Sequence, residues 1–258
     1  MGNIIVEEKN HIAYVTINRP KALNTFDYPT LVELGEVVDN IHVNKDIRGV
    51  IFTGAGEKAF SAGADLKERK TLGEQEVRRN VKKIREVFHA VYQLNQPTIA
   101  AVNGYAFGGG FELMLACDFR IADASAVMGL TELNWAIIPG AGGTQRLPRL
   151  IGESKAKELI LTARKVNAND AYAFGILNKV SEQGKLMEVC EGLLNDILAN
   201  GPLAIQQAKY AINNGMNVDI QTGLQIEAKA YEITIPTKDR VEALQAFNEK
   251  RDPVFTGE

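Results

Sequence analysis

The stretch "NGYAFGGGFELMLACD", Asn103 to Asp118, decides how this chain is read. Three consecutive glycines, Gly108 to Gly110, stand directly before an apolar run with helical spacing. Glycine costs roughly 1 kcal/mol against alanine inside a helix, so glycines in that place need a reason. A helix start leaves backbone N–H groups without partners, and its dipole attracts negative charge. Glycine there lets a ligand approach the backbone, or lets the backbone take angles that a side chain forbids. The stretch reads as a candidate anion or oxyanion site. A tight strand-to-helix turn is the plain alternative.

Working outward, strand, glycine loop and helix recur in that order at Val50–Leu66 and at Ile99–Cys117. "IIVEE" and "HIAYVTIN" read as two strands turning at Lys9–Asn10, and "RGVIFTG", "PTIAAVNG" and "DFRIAD" as further buried strands. Helical spacing runs through Leu31, Leu34, Val38 and Ile41, and again through Val77, Val81, Ile84, Phe88 and Val91. "EKAFSAGADLKERK" reads as a loop entering a helix. After Gly201 the pattern is helical only, and those apolar faces need a surface to cover them.

Phosphate fingerprints do not fit the glycine loops. A P-loop needs Gly-Lys-Ser/Thr after its glycines, and "GAGG" (Gly140 to Gly143) meets Gln145 where a dinucleotide loop needs its third glycine. Two carboxylates sharpen the case instead. Glu112 lies three residues after Gly109, on the same face of a helix that starts there. Its neighbours Phe111, Leu113, Met114 and Leu115 form a setting that raises a carboxylate pKa. Glu132 stands among apolar residues in "MGLTELNWAIIP". Two carboxyl groups near an oxyanion site make an acid/base pair. Taken alone, Glu132 also reads as an ordinary residue of a helix start.

The 258 residues carry a net charge of -3, which makes no electrostatic case for a nucleic-acid or membrane partner. Two cysteines and three histidines form no metal-ligand pattern, so no metal is expected. The N-terminus lacks the regions of a signal peptide, and no apolar run reaches membrane-spanning length. The expected location is the cytoplasm. The rival class is an RNA-binding module, resting on Arg78, Lys82 and Arg85 along one helix face in "RRNVKKIRE"; a solvated basic face on an amphipathic helix is the reading that the negative net charge favours.

With these residues assembled, the sequence resembles the crotonase (enoyl-CoA hydratase/isomerase) superfamily. The resemblance rests on "NRPKALNTF", "AFSAGADLKE", "AAVNGYAFGGGFELMLACD" and "IIPGAGGTQRLPRLIG", in family order over nearly the whole chain. It implies an α/β fold: a crotonase-like spiral of β-β-α repeats over residues 1–200, with a helical C-terminal part, 201–258, for trimerisation. It implies an oxyanion hole made by the amides of Ala64 and Gly109, with Glu112 and Glu132 as the catalytic pair of a hydratase. Substrate-binding positions would be Ala62, Ala64, Asp65, Leu66, Lys67, Gly109 and Gly140, with Lys67 toward the CoA phosphates.

The implied activity is hydration of a 2-enoyl-CoA thioester, in fatty-acid or branched-chain amino-acid degradation. Coenzyme A enters as part of the substrate, and no separate cofactor is required. The implied assembly is a homotrimer or hexamer. The tail from Ala211 to Glu258 looks much like the methylglutaconyl-CoA hydratase branch, which makes that dedicated activity the alternative. A departure is Trp135, bulky and close in sequence to Glu132.

Overall fold

The computed structural model describes residues 2–258. The chain divides into two compact units. The first runs to Leu94 and from Thr98 to Glu191; the second is Asn95–Pro97 with Gly192–Glu258.

The first unit opens with an antiparallel hairpin of β1 (Ile4–Lys9) and β2 (Ile12–Ile17), pairing Ile4 with Ile17. Its turn is Asn10–His11, one residue later than the sequence suggests, with φ of 51° and 64°. Positive φ at both central residues matches the right-handed twist of the flanking strands. α1 (Tyr28–Val43) begins where the Asp27 side chain accepts from Thr30 N at 2.9 Å. It buries Leu31, Leu34, Val38 and Ile41, the helical stripe expected from their spacing.

Strand–strand–helix units then follow one another. The first is β3 (Gly49–Gly54), β4 (Ala59–Ser61), α2 (Leu66–Arg69) and α3 (Glu74–Gln93). The next is β5 (Thr98–Val102), β6 (Tyr105–Phe107) and α4 (Gly109–Ala116). After it come β7 (Phe119–Asp123), β8 (Val127–Gly129), a 3₁₀ turn at Glu132–Trp135, α5 (Gly143–Ile151) and α6 (Glu153–Leu161). Then follow β9 (Val166–Asn167), α7 (Ala168–Ala173), β10 (Lys179–Ser181) and α8 (Leu186–Leu198), inside which the second unit begins.

Each repeat adds one strand to each of two sheets. The larger has the order β1-β2-β3-β5-β7-β10 and the smaller β4-β6-β8-β9. From β2 to β10 the large sheet is parallel. Parallel strands covered on both faces read as unbroken apolar runs, and every residue of β5 is buried. Phe52, Phe60, Phe88, Phe111, Leu113 and Met114 are fully buried in the core between these layers.

The second unit is helical: α9 (Pro202–Gly215), α10 (Ile220–Thr234) and α11 (Lys238–Glu249) follow the end of α8. α9 and α10 approach closely at Gly215 and Gly223, where a β-carbon on Gly223 would lie 3.3 Å from Gly215 O. Asp239 ties down the chain end, accepting from Thr256 N at 2.7 Å and Gly257 N at 2.9 Å. Large apolar side chains on these helices stay exposed, among them Ile212, Met216, Ile220, Tyr231 and Phe247, the last at 83%.

Candidate active site

Two glycine-bearing loops meet at the start of α4. The first leaves β4 and forms a parallel bridge between Ala64 and Phe26. That bridge uses Gly63 O, which accepts from Phe26 N at 2.8 Å, and Asp65 N, which donates to Phe26 O at 2.9 Å. Alternate residues of a strand point their N–H groups to opposite sides, so the Ala64 N–H faces away from the bridge. It donates to no described residue. The second loop follows β6, and Gly109 supplies the first N–H of α4, which has no acceptor within its own helix. It too donates to no described residue.

The two backbones touch. A β-carbon on Gly63 would lie 2.9 Å from Gly109 N, and one on Gly109 would lie 3.7 Å from Ala64 N. The triple glycine is explained residue by residue. Gly108 holds φ 52° and ψ -121° at the turn into the helix, a region that L side chains rarely adopt. Gly110 presses against Ser61 O, where any β-carbon would collide with backbone. Gly109 itself has no positive φ, and a β-carbon there meets Ile84 Cδ1 at 3.0 Å.

Glu112 follows in the first turn of α4 and is 3% exposed. Its Oε1 accepts from Ala141 N at 2.7 Å and Gly143 N at 2.9 Å. Gly143 opens α5, so the carboxylate caps that helix start, where its charge is favoured. Burial pushes the Glu112 pKa up, while the two N–H donors and the nearby Arg146 and Arg85 pull against that rise; the net direction is upward.

Glu132 opens the 3₁₀ turn after β8. Its Oε1 lies 3.3 Å from where a Gly108 β-carbon would stand, a tight contact from which the carboxyl group would have to shift by a few tenths of an ångström. Its Oε2 is buried and has no hydrogen-bond partner among the described residues. Burial first, and then the charge of Glu112, raise its pKa to about 7. One carboxyl group is thus clamped by donors and the other is bare. Trp135, three residues on, is 61% exposed.

The remaining candidate positions are distributed differently. Ala62 N donates to Leu23 O at 3.0 Å. The Asp65 side chain caps α2 through Lys67 N and Glu68 N and also accepts from Arg19 Nη2 at 3.0 Å. Burial would raise its pKa, but those backbone bonds and Arg19 hold it below the usual value. Leu66 and Lys67 are exposed, and the Lys67 ammonium makes no ion pair with a described residue. Gly140 O accepts from Arg85 Nε at 3.2 Å. Along the basic stripe, Arg78 pairs with Glu74 at 2.5 Å and Lys82 with Glu86 at 3.6 Å. Two of its three basic residues are therefore answered within the helix, which weakens the case for an RNA surface.

Sequence reading missed Ala141, Gly143 and Arg146, and read Arg85 only as part of the basic stripe. The signal was "GAGGTQR": it fails as a dinucleotide loop, yet it does open a helix, and a helix start can hold a carboxylate side chain as readily as a phosphate. Arg146 Nη1 donates to Ala141 O at 3.0 Å, bracing the segment that holds Glu112. Among the described residues no helix is long and apolar enough to cross a membrane.

Residues 7–258 match the family model described as enoyl-CoA hydratase/isomerase. The crystal structure of an enoyl-CoA hydratase from Bacillus anthracis superimposes with a TM-score of 0.97 at 52% identity, covering 99% of this chain and 100% of that one. The short-chain-enoyl-CoA hydratase of Clostridium acetobutylicum is 44% identical over 97% of this chain and 96% of its own. Human mitochondrial methylglutaconyl-CoA hydratase is 47% identical over 98% of this chain and 76% of its own.

Proposed function

Since this chain belongs to the enoyl-CoA hydratase/isomerase family, we propose that it is a hydro-lyase adding water across the 2,3 double bond of a 2-enoyl-CoA thioester. The observation that carries this reading is a juxtaposition at the Gly108–Gly109 backbone. Two adjacent amide N–H groups without partners stand there beside the Glu132 carboxyl group, which in turn feels the charge of Glu112.

The thioester oxygen sits between the Ala64 and Gly109 amides. Charge moves onto it as water attacks Cβ, and each N–H stabilises the enolate by about 3 kcal/mol. Glu112, whose Oε1 is fixed by two backbone donors at a helix start, takes the proton of the attacking water. Glu132, poised near neutrality with one oxygen bare, gives its proton to Cα as the enolate collapses. The water oxygen ends on Cβ, and proton exchange from Glu112 to Glu132 restores both groups.

Ala62, Asp65, Leu66, Lys67 and Gly140 line the approach of the CoA thioester. Asp65 acts by holding the start of α2, and the unpaired Lys67 ammonium takes a phosphate. No further cofactor takes part. The exposed apolar side chains of α9 to α11 support assembly into a trimer or hexamer, working in the cytoplasm. Following the loss of enoyl-thioester absorbance on crotonyl-CoA tests the activity, and folded protein inert on every enoyl-CoA would refute it. Light scattering tests the assembly; a stable monomer would contradict it.

A further inference from the structure

The backbone that clamps Glu112 is itself held from behind. A peptide unit is planar and trans, so its C=O and N–H point in opposite directions. The Ala141 N–H that donates to Glu112 Oε1 shares a peptide unit with the Gly140 carbonyl, which accepts from Arg85 Nε at 3.2 Å. The Gly143 N–H that donates to the same oxygen shares one with the Gly142 carbonyl, which accepts from Arg146 N at 2.8 Å. The unit between them offers the Ala141 carbonyl, to which Arg146 Nη1 donates at 3.0 Å. All three carbonyls from Gly140 to Gly142 are thus met by an arginine, while the amides on their far side face one carboxylate oxygen.

Arg146 is the more firmly seated of the two. It holds the loop by backbone and side chain, and its guanidinium lies over the Tyr92 ring, 5.1 Å from the centroid. Gly142, at φ 116°, leaves the space that Nη1 occupies, and a β-carbon there would collide with it. Arg85 is exposed and holds the loop through Nε. The charged and titratable groups facing Glu112 are Arg85 of α3, Arg146 of α5 and Glu132 of the 3₁₀ turn. Those around Arg146 are Tyr92, Glu112 and Cys117. Both cations favour the ionised carboxylate, and a chain of hydrogen bonds running from cation through peptide to carboxylate polarises each of its members.

We propose that Arg146 and Arg85 are positioning residues for the carboxylate that activates water: they hold the Gly140–Gly143 backbone from behind, and through it they fix the direction in which Glu112 faces the water. This rests on the hydratase reading above. The test follows kcat on crotonyl-CoA across pH, affinity for the unreactive butyryl-CoA, and Tm, in wild type, Arg146→Gln, Arg146→Lys and Arg85→Gln. Arg146→Gln should lower kcat about tenfold or more, the cost of a slightly misplaced catalytic group. Its acidic limb, where the base takes up a proton, should move to higher pH. Affinity for butyryl-CoA should not change, because the arginines stand behind the clamp. Arg146→Lys keeps the charge and should bring the limb back toward wild type. Arg85→Gln should move the limb the same way by less, and being a change on an exposed side chain it decides alone if Arg146→Gln does not fold. A merely structural arginine would lower kcat only with the folded fraction and leave the limb in place. That outcome in either Gln variant, or a loss confined to KM, overturns the role of that arginine.

Carbon-13 NMR of labelled glutamate carboxyl groups, with the Glu112 signal assigned through Glu112→Gln, separates this from the activity itself. In the free protein the Glu112 titration should move to higher pH in both Gln variants. That movement in a protein that hydrates no enoyl-CoA refutes the hydratase reading and leaves the positioning role standing. A titration that stays in place in both variants, in a protein that does hydrate crotonyl-CoA, refutes the positioning role and leaves the activity standing.

Discussion

α4 and the 3₁₀ turn at Glu132–Trp135 each deliver one glutamate, and they are built in opposite ways. All eight residues of α4 are buried, while the turn buries none. Glu112 arrives on a helix sunk in the core and is met by two backbone N–H groups of another helix start. Glu132 arrives on a short turn, with one oxygen enclosed and unanswered. Burial raises the pKa of both side chains, but two donors pull against that rise at Glu112, whereas at Glu132 the charge of Glu112 adds to it. An acid/base pair needs this difference, and identical surroundings would not create it.

The strongest way to break the comparison is to remove each charge in turn. Glu112→Gln and Glu132→Gln should each lower kcat by about 10²–10⁴-fold while the protein stays folded. The double variant should lose far less than the product, since both groups serve one water. Steady-state kinetics on all three would settle it, and near-normal turnover by either single variant would return that glutamate to a structural role.

The adjacent glycines offer a second contrast. Gly109→Val adds atoms beside the candidate oxyanion site, where its β-carbon meets the side-chain end of Ile84 at 3.0 Å and stands 3.6 Å from Gly63 Cα and 3.7 Å from Ala64 N. It should lose about 10²-fold in kcat/KM with a small change in Tm. Gly110→Ala collides with Ser61 backbone, so its Tm and its activity should fall together. Equal behaviour of the two variants would mean that Gly109 is a turn residue only.

The smallest expected effect concerns pH. With its pKa raised from 4.5 to about 7 in the folded protein, Glu132 binds protons more tightly folded than unfolded. Its contribution to stability is therefore full below pH 4.5 and fades as pH rises through about 7. Glu132→Gln, though poorly active, should melt about 5 °C above wild type at pH 8, and the gap should close on acidification. On the same grounds, wild-type kcat should decline as pH rises above about 7. A Tm difference independent of pH would contradict the raised pKa.

Much of the fold was legible in the chain. Unbroken apolar runs marked β3, β5 and β7, and helical spacing marked α1 and α3. The smaller sheet was not legible. Its strands β4, β6 and β8 have three residues each and β9 has two, too short for any period to register. They exist because each repeat lays its strand beside the previous one, a pairing between residues dozens of positions apart. Glu112's partners were hidden for the same reason: Ala141 and Gly143 lie 29 and 31 residues along the chain.

By itself, then, the sequence determined the family, the order of strand, glycine loop and helix, and which four residues to watch: Ala64, Gly109, Glu112 and Glu132. Residue types at fixed local spacing carry that much. Which amides remain without partners, which carboxylate is clamped and which is bare, and which carbonyls Arg85 and Arg146 hold were decided only by the tertiary structure. Those properties depend on burial and on hydrogen bonds closed across distant segments, and a proton's affinity for a carboxylate is set by the atoms around it in space.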